Sequence, residues 1–240
     1  MIEPASAIPG ECRSRHFENI RLSSNTSLLL FDTQKNLASS FLRFQEHYES
    51  PKFRGKIFSI DEYKKWYIKN TKYGQKTGKF TYYTDWAGFN IPSAIFAPFI
   101  EGKFDPLSRQ ERAILESIGT ERVRAKYVIG ASIDSTRLVP VMQHEIAHSL
   151  FYTDPAYKEK VLDLIPKFNL ERARASVLDG AGYDPVMLDD ELQAYSLSGS
   201  KNVDPGFSAT IQKLYAKHCK QDLYPKFRRF CKITPSVSRQ

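Results

Sequence analysis

Apolar positions along the chain recur with two periods, and the switches between them predict the elements. After Asp32 and Thr33, either of which suits an N-cap, Leu37, Phe41, Leu42 and Phe44 fall on one helical face, so a helix is predicted to about Tyr48. Ser59-Ile-Asp-Glu62 and Ser108-Arg-Gln-Glu111 have the S-x-x-E form of a capping box. They predict one helix reaching about Thr71 and another ending at Gly119. Short apolar, aromatic or β-branched runs at 27–31, 79–84 and 126–132 read as strands. Between 86 and 106, Gly88, Pro92, Pro98, Gly102 and Pro106 predict a long ordered loop. Its start, from Asp85 to Pro92, is rich in aromatics, which suits packing on the sheet or walling a cleft.

From Leu138 to about Tyr152, Met142, Ile146 and Leu150 lie four apart, the spacing of one helix face, with Pro140 in the first turn. Asp154-Pro155 and Asp204-Pro205 each pair an N-cap with proline at the first helical position. Further helices are expected at about 155–166, 170–179 and 187–197. Strands first and helices after give an α+β fold, a small sheet from the N-terminal half packed with a mostly helical C-terminal half. The expected organisation is an irregular arm (1–26), a single domain (27–216) and a basic tail (217–240).

Composition narrows the class. Aromatic residues at 13% exclude a disordered chain, and no apolar run approaches the roughly 20 residues of a membrane span. The first 26 residues carry charges and no apolar signal core, so a cytoplasmic protein is expected, with leaderless export as the alternative. The net charge is +8, and residues 217–240 hold seven basic residues against Asp222 alone. Lys64, Lys65, Lys69, Lys72, Lys76 and Lys79 form a second basic stretch, interleaved with Tyr63, Trp66, Tyr67 and Tyr73. Such stretches contact nucleic acid or an anionic surface, or are solvated faces whose aromatics turn inward. With no nucleic-acid motif present, the second reading is favoured. Cys12, Cys219 and Cys231 form an odd set without C-x-x-C spacing. Free thiols in a reducing compartment are expected, a Cys219–Cys231 bridge being the alternative.

Candidate chemistry is concentrated in His144-Glu-Ile-Ala-His148. On a helix, positions i and i+4 share a face, so both imidazoles can aim at one point and supply two of the three protein ligands of a catalytic Zn²⁺. Glu145 is then placed to take a proton from water at the open position. For the third ligand, Glu191 in Asp189-Asp190-Glu191 is the leading candidate, with Asp190, Asp189 and Asp154 as alternatives. Asp154 lies six residues after His148, but Phe151 stands where a metzincin turns on glycine, and Met187 is more simply core than a Met-turn.

The H-E-x-x-H string and the downstream Glu191 resemble the zincin metallopeptidases, in particular the gluzincins. The resemblance spans about residues 126–198 and implies a zinc peptidase, in the first instance an endopeptidase. It implies His144, His148 and Glu191 as ligands and Glu145 as general base. It also implies a strand edge that binds extended peptide, for which 79–84 and 126–132 are the candidates. No N-E-x-x-S-D string is present, so the carboxylate behind the ligands stays unassigned. Tyr195, Tyr183 and Tyr152 are candidate oxyanion donors, Tyr195 first because it lies four residues after Glu191. His16 and His47 have no partner at ligand spacing, and His218 and Cys219, adjacent on a helix and so pointing about 100° apart, are expected to be exposed and unrelated. The alternative function is a zincin-shaped module that contacts an anionic partner through Tyr224, Phe227 and Phe230 without cleaving it. Metal-assisted hydrolysis of a non-peptide bond is a third, minor reading.

Overall fold

Period-two alternation in the strands decides the architecture. In the computed structural model, which describes residues 16–119, 125–181 and 184–233, four strands form one mixed sheet. β1 (Phe17–Arg21) pairs antiparallel with β2 (Thr26–Phe31), and β2 runs parallel to β4 (Tyr127–Ser132). β3 (Gly88–Pro92) forms the other edge, antiparallel to β4, so the order is β1-β2-β4-β3. Leu28, Tyr127, Ile129 and Ala131 enter one apolar layer, whereas Leu29, Phe31, Phe89, Ile91 and Val128 enter another.

Helices cover both faces, not one. The second layer is closed by α1 (Gln34–Glu49), α2 (Ile60–Asn70) and α6 (Arg109–Ile118), through Leu37, Phe41, Phe44, Tyr63, Tyr67 and Ile114. Both capping boxes form, and Thr33 caps α1 through its side chain. Buried Arg43 on α1 binds both carboxylate oxygens of Glu111, which also closes the α6 box. The first layer is closed by α7 (Leu138–Thr153), α8 (Pro155–Leu164), α10 (Leu188–Tyr195) and α11 (Pro205–Asp222). Asp154 and Asp204 cap α8 and α11 as expected. Short helices α3 (Lys72–Thr77), α4 (Tyr82–Asp85), α5 (Ala97–Ile100) and α9 (Glu171–Ala175) complete the connections.

Five expectations are corrected. The run at 79–84 is not a strand: α4 begins there and buries Tyr82 against Phe80, Tyr63 and Phe89, a cluster that outweighs local β propensity. The loop at 86–106 contains β3 and α5. The β4 ladder stabilises β3, with Gly88 and Pro92 only at its ends. The arm does not run to residue 26, because β1 is the sheet edge; residues 1–15 lie outside the described set.

Nor is 217–240 an appended tail. α11 runs to Asp222, and the 3-10 turn Pro225–Cys231 buries Phe227 and Phe230 in the first layer. There Tyr215 Oη donates to the Phe230 carbonyl (3.0 Å) and Gln143 to that of Lys232 (2.9 Å). Cys219 and Cys231 are joined in a disulfide, so these two are not free thiols. Tyr63 and Tyr67 are buried while Lys65, Lys69, Lys72 and Lys76 are exposed, as expected of a solvated face. No helix among the described residues is long and apolar enough to cross a membrane.

Gly130 is the point of closest approach between α1 and the sheet. A Cβ there would stand 2.7 Å from the Phe41 ring and 2.8 Å from Leu37 Cδ1. Gly130→Ala is expected to cost about 1–3 kcal/mol of stability by overpacking, read as a lower midpoint in chemical denaturation.

Candidate metal centre

The apolar stripe of α7 decides where its histidines point. Met142, Ile146 and Leu150 are buried in the first layer, and Ser149 Oγ meets Thr26 Oγ1 of β2 at 2.6 Å. With that side held, His144 and His148 face the first turn of α10. Their Nε2 atoms lie 3.1 Å apart. Glu191 comes between them, Oε2 at 3.8 Å from His144 Nε2 and Oε1 at 3.7 Å from His148 Nε2. One donor atom from each residue lies within 4.8 Å of the others. A tetrahedral zinc ion with ligand bonds of 2.0–2.2 Å separates its donors by about 3.4 Å, so the spacing fits that ion. The N, N, O donor set fits it too, as does Glu191 Oε2, which is buried without a hydrogen-bond partner.

Behind the ligands is a polar chain. Asp190 Oδ1 lies 2.8 Å from His148 Nδ1, although the ring N–H is not aligned on it, so the contact is chiefly one of charge. Gln193 donates to the same oxygen (2.9 Å), and Tyr157 donates to Gln193 (2.7 Å). The His144 ring reaches the backbone carbonyl of Ala194. Both histidines are therefore oriented from α10, the helix that also carries Glu191, in the manner of carboxylate–histidine–metal sites.

The alternatives for the third ligand go elsewhere. Asp190 supports His148, and Asp189 turns outward to Arg174 at 3.6 Å. Asp154 caps α8 and binds His218 Nδ1 at 2.6 Å. His218 is thus buried and paired, not exposed as expected: one face of α11 takes both it and Cys219. His16 pairs with Asp32 and His47 with the Lys56 carbonyl. Met187 is buried just before α10. Among the candidate tyrosines, Tyr195 lies edge-on to His144 with centroids 5.0 Å apart. Tyr152 is exposed and rests on Tyr127, and Tyr183 lies outside the described residues.

Glu145 occupies the junction of α7 and β3. Asn90 Nδ2 donates to its Oε2 at 2.8 Å, and Tyr127 Oη donates to Asn90 Oδ1. A Cβ on Gly88 would come within 2.3 Å of Glu145 Oε1, so the carboxylate needs a residue without one. From here a cleft of about 350 Å³ runs round the β3 edge, past Gly88, Phe89 and Asn90, to the end of α1. The strand at this edge is β3; 126–132 is interior and 79–84 contains α4. Asn90, Tyr127 and Gly88 were not evident as site residues. Their signal, a polar position inside an apolar strand after a glycine, is readable only once β3 is known to be a strand.

Burial and mutual charge set the protonation of the cluster. Burial pushes the Glu145 carboxyl up to about 7, against His148 and the Asn90 hydrogen bond. Burial likewise raises Glu191 to about 8. His144 is held well below its usual value by burial and by the neighbouring His148. Burial also disfavours charge on His148, but Asp190 and Glu191 outweigh it and raise it well above the ordinary value.

No protein-family model matches the chain, and neither a curated protein nor a solved structure is similar to it. The resemblance to zincins therefore rests on the motif and this geometry.

Metal binding requires His148 and Glu191 without their protons, and both hold them near neutral pH. Zinc uptake at pH 7 is expected to release protons, and affinity is expected to climb as pH rises through about 8, with His148 adding to the climb. Calorimetry in buffers of different ionisation enthalpy reads the release. Equal heats in all buffers would count against the assigned protonation.

Proposed function

We propose that the protein is a zinc-dependent metallopeptidase with a zincin-like catalytic fold, gluzincin-like in taking Glu191 as third ligand. The observation that carries the reading is the convergence of His144, His148 and Glu191 at ion-sized spacing, with Glu145 beside them at the head of a cleft. Held by the three ligands, zinc supplies a Lewis acid that lowers the pKa of water to about 7 and polarises a scissile carbonyl.

The remaining steps belong to the chain. An extended peptide adds to the β3 edge, which brings its backbone past Gly88 and Asn90. Glu145, whose pKa of about 7 matches the working pH of a general base, accepts a proton from water. Asn90 fixes one oxygen of that carboxylate and leaves the other for the transfer. Glu145 then passes the proton to the leaving amine. Tyr195, against His144, is the assigned donor to the oxyanion. Asp190, through His148, keeps that imidazole facing the ligand point.

Burial of Phe227 and Phe230 leaves the binding-module alternative with Tyr224 alone of its three contact aromatics. The Cys219–Cys231 bridge is chemistry of an oxidising compartment, so the free-thiol argument for a cytoplasmic location loses its basis.

Glu145→Gln is expected to bind one equivalent of zinc and to lose hydrolysis by at least about a hundredfold, whereas Glu191→Ala loses the metal. Metal analysis and peptide cleavage on the same preparations separate the two roles, and turnover by the first variant would remove Glu145 from the mechanism. Gly88→Ala is expected to fold at some cost in stability, because Glu145 can swing aside while Val141 Cγ1, 2.7 Å from the new Cβ, must also give. Displacing the carboxylate should lower kcat by about tenfold or more with zinc content unchanged. Wild-type kcat in that variant would contradict the role given to the β3 junction.

A further inference from the structure

The cleft is lined by more than a metal centre requires. Its far wall is the end of α1, where Glu46 and Glu49 stand one turn apart, faced by Tyr63, Trp66, Tyr82 and Trp86. Glu49 is 5% exposed. Its Oε2 accepts from Gln45 Nε2, and its Oε1 has no hydrogen-bond partner. The Glu46 carboxyl lies among the hydroxyls of Tyr82, Tyr63 and Ser50. Among the described residues, neither carboxylate forms an ion pair with Lys or Arg; Lys72, on the same lining, is exposed.

Burial, Glu191 and Glu145 hold the Glu49 carboxyl well above its usual value against His148 and Gln45, yet its Oε1 remains an open buried acceptor, which a cationic N–H donor can fill. A second metal ion does not suit the place. Among the described residues, His144, His148 and Glu191 are the one group with three donors close enough to hold an ion. Aromatic walls suit an organic cation, whose charge is attracted by ring faces while its carbon atoms pack against them.

We infer that the α1 end of the cleft binds a protonated amine or guanidinium carried by the substrate, on its N-terminus or on a basic side chain. Glu49 supplies the open acceptor, Glu46 seconds it, and Trp66 and Trp86, the half-buried rings of the lining, pack against the cation. This names the substrate class of the proposed peptidase and rests on that reading only for the carrier being a peptide. The lysines of α2 and α3 make the approach to the cleft basic, so the recognition is one of contact and not of long-range steering.

Both tryptophans of the chain, Trp66 and Trp86, line this cleft, so their fluorescence reports its occupation. Three probes of equal backbone are titrated into the zinc-loaded full chain, as wild type and as Glu145→Gln. Norleucine amide carries only an α-ammonium, Nα-acetyl-lysine amide only a side-chain ammonium, and Nα-acetyl-norleucine amide no cation. At least one cationic probe is expected to bind about tenfold or more tighter than the neutral one. Which one it is identifies the carrier.

Glu49→Gln is expected to erase the preference with zinc content unchanged, and Glu46→Gln to weaken it. Equal or tighter binding of the neutral probe, or a preference that survives both substitutions, overturns the inference. Should Glu49→Gln not fold, a cation preference undiminished in Glu46→Gln overturns the inference, and a weakened one supports it. Because binding is measured without turnover, the two readings fail separately. A cation preference with no cleavage of any peptide removes the peptidase, and cleavage with no cation preference removes only this site.

Discussion

A half-buried imidazole, a buried one and the three buried carboxyls of Glu145, Asp190 and Glu191 share one small space at the meeting of α7 and α10, and their charges cannot all be expressed without a further cation among them. Without one, the cluster takes protons: Glu145 and Glu191 are pushed up to about 7 and 8, while His144 is held neutral and His148 charged. This arrangement is costly as mere structure. Buried ionisable groups contribute less to stability than apolar residues of the same size, so their concentration marks a site and not a core. On the proposed reading, a divalent ion would resolve the conflict by replacing several protons at once.

The rest of the first layer serves that convergence. The α7 stripe is held on the sheet by apolar packing and by the Ser149–Thr26 contact, which leaves the histidines to face α10. α10 answers with Glu191 between the two histidines, Asp190 behind His148 and Gln193 behind Asp190. One short helix thus carries the carboxylate that meets the histidines together with the groups that orient them. The second layer contributes from across the sheet. The cleft turns round the β3 edge, so a substrate lying there touches α7 and α1 together, and the carboxylates of Glu46 and Glu49 come within its reach.

The legible parts of the chain were those with local causes. Capping boxes at Ser59 and Ser108, the Asp-Pro starts of α8 and α11, and the spacing of α7 all act within a few residues and formed as expected. The convergence of His144, His148 and Glu191 was legible as well, because i, i+4 spacing on a helix fixes the two histidines, and Glu191 stood in a first turn already rich in acids. What escaped depends on partners distant in sequence. β3 is a strand because β4 supplies its ladder, with Pro92 opposite Tyr127. Asn90, on that strand, could not be seen as the support of Glu145. Glu46 and Glu49 look like surface charges at a helix end until the α1 terminus is brought against the cleft. His218 and Cys219 seemed too divergent on their helix to be buried together, yet α11 turns a broad face inward and takes both.

X-ray absorption at the zinc edge of the metal-loaded full chain is the most direct test of the central claim. The account predicts a shell of nitrogen and oxygen at about 2.0 Å with the outer scattering of two imidazoles and no sulfur. A spectrum with one imidazole or none, or with a sulfur ligand, would contradict it.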